Sequence, residues 1–217
     1  MNKILLMFPL LLCACKANDD DKTVLGGDPN RVQVEAREVE EKVAGDGPFG
    51  IPFGVRVESL NAGDRDPESG VSVLNSAPKP SSQFPTVAVI SYPKTGVCEV
   101  RAISADFDSD SYITSASAFV DQVAGALDSR YGKGTKVAGC TGYSCESEYK
   151  IQGIESGGVW YGYEWAAGKT PLPSNVKKIN LYVTHAEFNN SSVRLDYQFN
   201  NIEACDAASK AAKAGNL

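Results

Sequence analysis

The stretch Thr86-Val-Ala-Val-Ile-Ser-Tyr-Pro-Lys-Thr-Gly-Val-Cys-Glu-Val-Arg-Ala-Ile103 carries the clearest local signal in the chain. β-Branched and aromatic residues fill both of its halves, and a Pro-Lys-Thr-Gly tetrapeptide typical of a turn separates them. The stretch therefore predicts a β-hairpin. In its second strand, Cys98, Val100 and Ala102 alternate with charged residues and are expected to share one face.

An amphipathic helix is predicted directly after the hairpin. Apolar residues recur at helical spacing from Ala116 to Tyr131, and Gly132 stands where the helix should end. Polar residues occupy the rest of the helix surface, so we expect this helix to cover a sheet.

Three further strands and a C-terminal helix are expected after a long, partly irregular segment over residues 132–158. The strands are centred on Val159–Trp165, Ile179–Val183 and Val193–Phe199, where apolar and polar residues alternate. The order of hairpin, helix, three strands and helix predicts an α+β domain over residues 84–217. Its architecture would be one antiparallel sheet with helices on one face.

Residues 31–83 are expected to hold an N-terminal helix and an irregular segment. Apolar residues spaced by three and four between Asn30 and Ala44 favour the helix, and Gly45 stops it. The Gly- and Pro-rich sequence from Pro48 to Gly54 favours a loop, followed by turns and a short strand near residues 71–74.

The first fifteen residues resemble the signal peptide of a bacterial lipoprotein. Lys3 precedes a short apolar run that ends at Leu12-Cys13-Ala14-Cys15, and this run is too short to span a bilayer. The resemblance to a lipobox implies a signal peptide over 1–14 and attachment of acyl chains, palmitate among them, at Cys15. Residues 15–30 would be a flexible tether. The alternative is an ordinary cleaved signal with incidental cysteines.

The lipoprotein resemblance also implies a location in the bacterial cell envelope. Lys16, rather than Asp, follows the lipidated cysteine. In enterobacteria-like systems Asp at this position retains a lipoprotein in the inner membrane, so its absence favours the outer membrane. The domain would then be lipid-anchored and face the periplasm.

Four cysteines remain for the folded domain, and in an oxidising compartment they allow three pairings. We favour a disulfide between Cys98 and Cys205, which would join the hairpin to the last helix, and a second between Cys140 and Cys145, which would close a tight loop. The alternative is that Cys98 and Cys205 stay free as small buried apolar residues.

No catalytic constellation, cofactor or metal site is predicted. The formal net charge of −6 disfavours nucleic-acid binding, and a single histidine with no Cys-x-x-Cys pair disfavours zinc and thiol redox chemistry. Trp160, Tyr161, Tyr163 and Trp165 are candidates for an aromatic platform that stacks on a sugar or a peptide. Their alternative role is a core with one exposed aromatic side chain.

Several fragments, taken in order, resemble an uncharacterised family of bacterial envelope proteins and cover most of residues 48–206. They are Pro48-Phe49-Gly50, Phe53-Gly54, Pro78-Lys79-Pro80 with Phe84, Ser91–Cys98, Tyr131-Gly132, and Tyr197-x-Phe199 before Cys205. The resemblance implies cysteines at positions 98 and 205. The chain departs from the family between Gly132 and Gly158, and the resemblance implies no activity.

These observations favour a lipid-anchored envelope protein that binds a protein or an envelope polymer without catalysing a reaction, in the manner of an inhibitor or immunity protein. The alternative is an enzyme that acts on peptidoglycan with scattered carboxylates and the aromatic strand. Whether the chain is an enzyme stays open. The membrane would be reached through the lipid anchor, and nucleic acid is not expected as a partner.

Overall fold

In a computed structural model, which describes residues 47–146, 148 and 150–215, seven strands form one antiparallel sheet. The strands are β1 (Val71–Val73), β2 (Thr86–Tyr92), β3 (Gly96–Ile103), β4 (Thr135–Cys140), β5 (Val159–Ala166), β6 (Val176–His185) and β7 (Ser191–Phe199). They are ordered β1-β2-β3-β7-β6-β5-β4 across the sheet. The predicted α+β class and antiparallel sheet are confirmed.

Three α-helices accompany the sheet in the described part of the chain. They are α1 (Thr114–Tyr131), α2 (Lys150–Ser156) and α3 (Ile202–Gly215). No helix among the described residues is long and apolar enough to span a membrane. The signal peptide, Cys15, the tether and the helix expected over residues 31–44 lie outside the described residues.

The main core lies between α1, α2 and one face of the sheet, which we call the core face. The apolar stripe predicted for α1 is buried there, with Val120 fully enclosed and Leu127 nearly so. Burial of each such side chain contributes about 1.5–3 kcal/mol. Residues before β2 join the same core, because Ile51 is fully buried in it and β1 pairs with β2.

The opposite face, which we call the polar face, carries α3 over β2 and β3. A β-bulge explains this placement. Ser91 pairs with Val97 while Ile90 pairs with Glu99, so Cys98 is an extra residue in β3. The bulge turns Val97 into the main core and Cys98 to the polar face, where it meets α3.

The bulge changes two expectations. Cys98 does not share a face with Val100 and Ala102, because strict alternation is broken one residue before Glu99. The sheet also carries helices on both faces rather than one, since α1 and α2 pack on the core face and α3 follows Cys98 to the polar face.

Residues 132–158 contain more regular structure than we expected. Their first part is edge strand β4, which pairs with β5 from Thr135 opposite Glu164 to Cys140 opposite Val159. A 3₁₀ turn at Gly142–Cys145 and helix α2 follow. The first four residues of β4 are exposed, so the sequence lacks the apolar alternation that marks a half-buried strand.

Three loops leave the same end of the sheet and define what we call the loop end: residues 104–113, 141–158 and 186–190. Hydrogen bonds join them. The Ser109 amide donates to Asn190 Oδ1 at 3.0 Å, and the Ile151 amide donates to the Ser111 carbonyl at 3.0 Å. Helix α1 begins at the loop end, so Tyr131 lies at the opposite end of the sheet.

Candidate functional site

Asp110 holds the loop end together. Its buried carboxylate accepts hydrogen bonds from the amides of Ser115 and Ala116, each at 3.0 Å, in the first turn of α1. It also accepts one from Ser191 Oγ, at 2.7 Å, at the start of β7. A carboxylate at a helix N-terminus satisfies free amides and interacts favourably with the helix dipole. Asp110 therefore fixes α1 against β7.

The backbone of the loop end is held in an uncommon conformation. Among the described residues, four that are not glycine have positive φ, and three of them lie here: Ser109, Ile113 and Phe188, at 54°, 54° and 55°. A non-glycine residue with positive φ raises the conformational energy of the folded chain by about 1–3 kcal/mol, so it persists only where the surrounding contacts hold it there. The His185 ring lies 2.9 Å from the Phe188 carbonyl oxygen and provides one such constraint.

Four aromatic side chains in the loop end or directly next to it are exposed to solvent. They are Tyr112, Tyr143, Trp160 and Phe188, with exposed fractions of 57, 84, 44 and 88%. These four are among seven large apolar side chains that are exposed in the described part of the chain. Exposed large apolar side chains concentrated at one end of a domain mark a candidate interaction site. The loop end is therefore the candidate binding surface.

Sequence reasoning missed Tyr112, Tyr143 and Phe188, because each stands alone in a polar, turn-forming stretch. An aromatic residue among Gly, Ser, Asp and Asn is itself a signal, since binding loops combine rigid aromatic rings with small polar residues. Their loops come to the same end of the sheet only when the strands pair.

The predicted aromatic group does not form one platform, because successive residues of β5 point to opposite faces. Trp160 lies on the polar face against edge strand β4, where a Cβ on Gly139 would come within 2.5 Å of its ring. Trp165 is fully buried on the core face and donates from Nε1 to Asp128 Oδ1 at 3.1 Å. This arrangement matches the alternative of a core with one exposed aromatic side chain.

Tyr161 and Tyr163 of the same group bind a side chain of α1. Their hydroxyls donate to the Asp121 carboxylate at 2.8 and 2.9 Å, and Lys136 Nζ donates to the Tyr161 hydroxyl at 2.6 Å. These contacts fix the sheet edge against α1. Lys136 Nζ also lies 4.4 Å from the centroid of the Tyr161 ring, and the Tyr163 ring stacks on Trp165, so both rings already make contacts within the domain.

A charged cluster occupies the polar face. Glu99 Oε1 accepts from Arg101 at 2.9 Å and from Arg194 at 3.4 Å. Asp196 accepts from Arg194 Nε at 2.8 Å and from the Tyr182 hydroxyl at 3.0 Å. Two carboxylates and two guanidinium groups balance in charge, which allows both acids to lie almost fully buried.

Burial and the nearby charge of Asp196 raise the pKa of Glu99, although Arg101 acts in the opposite direction. Glu99 and Arg101 also line a cavity of about 440 Å³ beside α3. The described residues contain no group of three or more His, Cys, Asp or Glu side chains placed to hold a metal ion.

Both predicted disulfides are present. Cys98 and Cys205 are bonded, with their Cα atoms 6.4 Å apart, and the bond joins β3 to α3. Cys140 and Cys145 are bonded, with Cα atoms 5.1 Å apart. The second bond closes the short segment that carries exposed Tyr143, and so restrains the loop end.

No protein-family model, curated protein or solved structure matches this chain. The resemblances to lipoproteins and to an envelope-protein family therefore stay predictions.

Proposed function

We propose that this protein is a lipid-anchored binding module of the bacterial cell envelope, which holds a protein partner through its loop end without catalysing a reaction. The observation that carries the proposal is the set of three exposed aromatic side chains on the restrained loops, Tyr112, Tyr143 and Phe188, together with exposed Trp160 at the adjoining start of β5. Tyrosine and tryptophan supply much of the energy at protein interfaces. Loops already fixed in shape lose little entropy on binding.

Site-specific photo-crosslinking in intact cells tests the binding surface. A photoreactive residue at Tyr143 should give a discrete adduct, whereas the same residue at exposed Lys133, outside the loop end, should not. The Tyr143 adduct should weaken when Phe188 is replaced by alanine. Absence of any adduct from Tyr112, Tyr143 and Phe188 would overturn the proposal.

Membrane fractionation tests the anchor separately. Cys15→Ala should move the protein from the membrane fraction to the soluble periplasmic fraction, since a lipid-anchored domain loses its attachment when the acyl chains are lost. Unchanged sedimentation with the outer membrane would contradict the anchor.

The narrower role of an inhibitor or immunity protein depends on which partner is captured. A crosslinked envelope hydrolase whose activity falls when the purified chain is added would support it. A captured partner with unchanged activity would refute this role and leave the binding module in place.

The alternative function, an enzyme acting on peptidoglycan, is favoured by one observation. Glu99 combines a raised pKa with a position on a cavity, as catalytic carboxylates commonly do. Incubation of the full chain with purified peptidoglycan tests it. Release of soluble fragments that is lost in Glu99→Gln would replace the proposed function, and no release would count against the alternative.

A further inference from the structure

The loop end is strongly acidic. Its three loops contain seven Asp and Glu residues and a single Lys, a formal charge of −6. The complete chain has 27 acidic and 21 basic residues, also a formal charge of −6. The remaining residues therefore carry 20 charges of each sign, so the formal charge of the loops equals that of the whole sequence.

Six of the seven acids face solvent. Asp110 is buried and used for structure, while the exposed acids are Asp106, Asp108, Glu146, Glu148, Glu155 and Glu187. None of the six forms an ion pair within the part of the chain that the structure describes. By contrast, Glu99, Glu164 and Asp196 on the polar face are paired with Arg or Lys.

The exposed aromatic residues lie among these unpaired carboxylates. Tyr143 is three residues from Glu146, and Phe188 directly follows Glu187. Aromatic faces attract Arg and Lys cations, and carboxylates form charge-assisted hydrogen bonds with the same groups. One kind of partner therefore satisfies both features of the surface.

Resting on the proposed function, we infer that the loop end recognises a basic protein surface, rich in Arg and Lys. The charge distribution disfavours other occupants. A second copy of the loop end would bring two surfaces of formal charge −6 together, and anionic lipid or nucleic acid would be repelled in the same way. Attraction between opposite charges also predicts an association rate that falls as salt is added.

Titration of the purified full chain with a decamer of arginine tests this inference, with a decamer of glutamate as the opposite probe. The loop-end variant combines Glu146→Lys with Glu187→Lys. The matched control combines Glu58→Lys with Asp64→Lys, which changes the charge equally at exposed residues outside the loop end. Isothermal calorimetry measures affinity, and a change in tryptophan fluorescence, to which exposed Trp160 contributes with buried Trp165, accompanies contact at the surface.

The loop-end variant should bind the arginine decamer about tenfold more weakly than the wild type, since several exposed pairs of modest energy are reversed. The control should stay within about twofold of the wild type for the same reason. The loop-end variant should also gain affinity for the glutamate decamer. Equal weakening in both variants, or no binding by the wild type, would overturn the inference.

The crosslinking experiment separates this inference from the proposed function. If the wild-type chain gives a Tyr143 adduct that persists at full yield in the loop-end variant, the binding surface stands and its preference for a basic partner falls. If the wild type gives no adduct, the proposed function itself falls. Sedimentation of the purified chain tests for self-association. A wild-type dimer that Tyr143→Ala abolishes would overturn the inference of a basic partner, because the loop end would then bind a second copy of the chain.

Discussion

Replacement of Asp110 by alanine should destabilise the domain more than replacement of any exposed acid at the loop end. Three donors lose their acceptor: the amides of Ser115 and Ala116, and the hydroxyl of Ser191. Ser191 is fully buried, so water does not readily replace the missing carboxylate. The change therefore acts on α1 and β7 together.

The size of the loss follows from two contributions. Removal of a side chain that caps a helix costs about 1 kcal/mol, up to about 2. A buried hydroxyl left without an acceptor costs about a further 1–3 kcal/mol. We therefore expect the free energy of unfolding to fall by about 3 kcal/mol for Asp110→Ala. For a chain of this size that corresponds to a melting temperature lower by about 6–12 °C.

Urea unfolding of the oxidised chain, followed by far-UV circular dichroism and by fluorescence of buried Trp165, measures this loss. Asp108→Ala is the matched control. Asp108 is an exposed acid two residues away, with one hydrogen bond, accepted from Asn190 at 3.3 Å. We expect the control to change stability by less than about 0.5 kcal/mol.

The conservative variant Asp110→Asn sharpens the test. An asparagine oxygen can still accept a hydrogen bond from one amide of α1. The decrease in the free energy of unfolding for Asp110→Asn should therefore lie between those for Asp110→Ala and Asp108→Ala. A decrease below about 1 kcal/mol for Asp110→Ala, or equal decreases for Asp110→Ala and Asp108→Ala, would refute the organising role of this carboxylate.

Three other variants probe the fold. The double variant Cys98→Ala with Cys205→Ala removes the disulfide that closes a loop of 107 residues in the unfolded chain. The free energy of unfolding, measured by urea titration, should fall by about 4–5 kcal/mol. A decrease below about 1 kcal/mol would contradict the explanation by chain entropy. Because the pKa of Glu99 is raised, its ionised form costs stability above that pKa, and the cost fades as the pH falls from 7 towards its ordinary value of 4.5. As the pH falls from 7 to 4.5, the free energy of unfolding of the wild type should therefore rise relative to that of Glu99→Gln. A fall over the same range would show that the pKa of Glu99 is not raised. Gly134→Ala places a Cβ within 2.5 Å of the Trp165 ring and should lower the free energy of unfolding by about 1–3 kcal/mol. Thermal melting measures this change, and an unchanged melting temperature would mean that the ring moves aside without cost.

Much of the sheet was predictable because its signals are local. The hairpin from Thr86 to Ile103 combines β-rich halves with a turn, and α1 repeats its apolar residues at helical spacing. Strands β5, β6 and β7 carry an apolar residue at every second position over five to seven residues. Each of these patterns needs only neighbouring residues to fix the period, so the elements could be placed before their partners were known.

The candidate binding surface could not be predicted in the same way. Asp110 and Ser191 are 81 residues apart, and Ser109 and Asn190 are equally distant, yet their hydrogen bonds shape the loop end. Edge strand β4 has no apolar alternation of its own, and its pairing with β5 defines it. The bulge at Cys98 depends on how β2 and β3 register.

The sequence by itself determined the α+β class, the order of its main elements and the surplus of acidic residues, and it favoured the two cysteine pairs that the structure shows. Only the tertiary structure decided that Tyr143 and Phe188 lie at one end of the sheet among those acids, and that Trp160 and Trp165 face opposite sides. The physical reason is range. Periodicity and turn chemistry act between neighbouring residues, whereas a surface is made of loops that meet only after distant strands have paired.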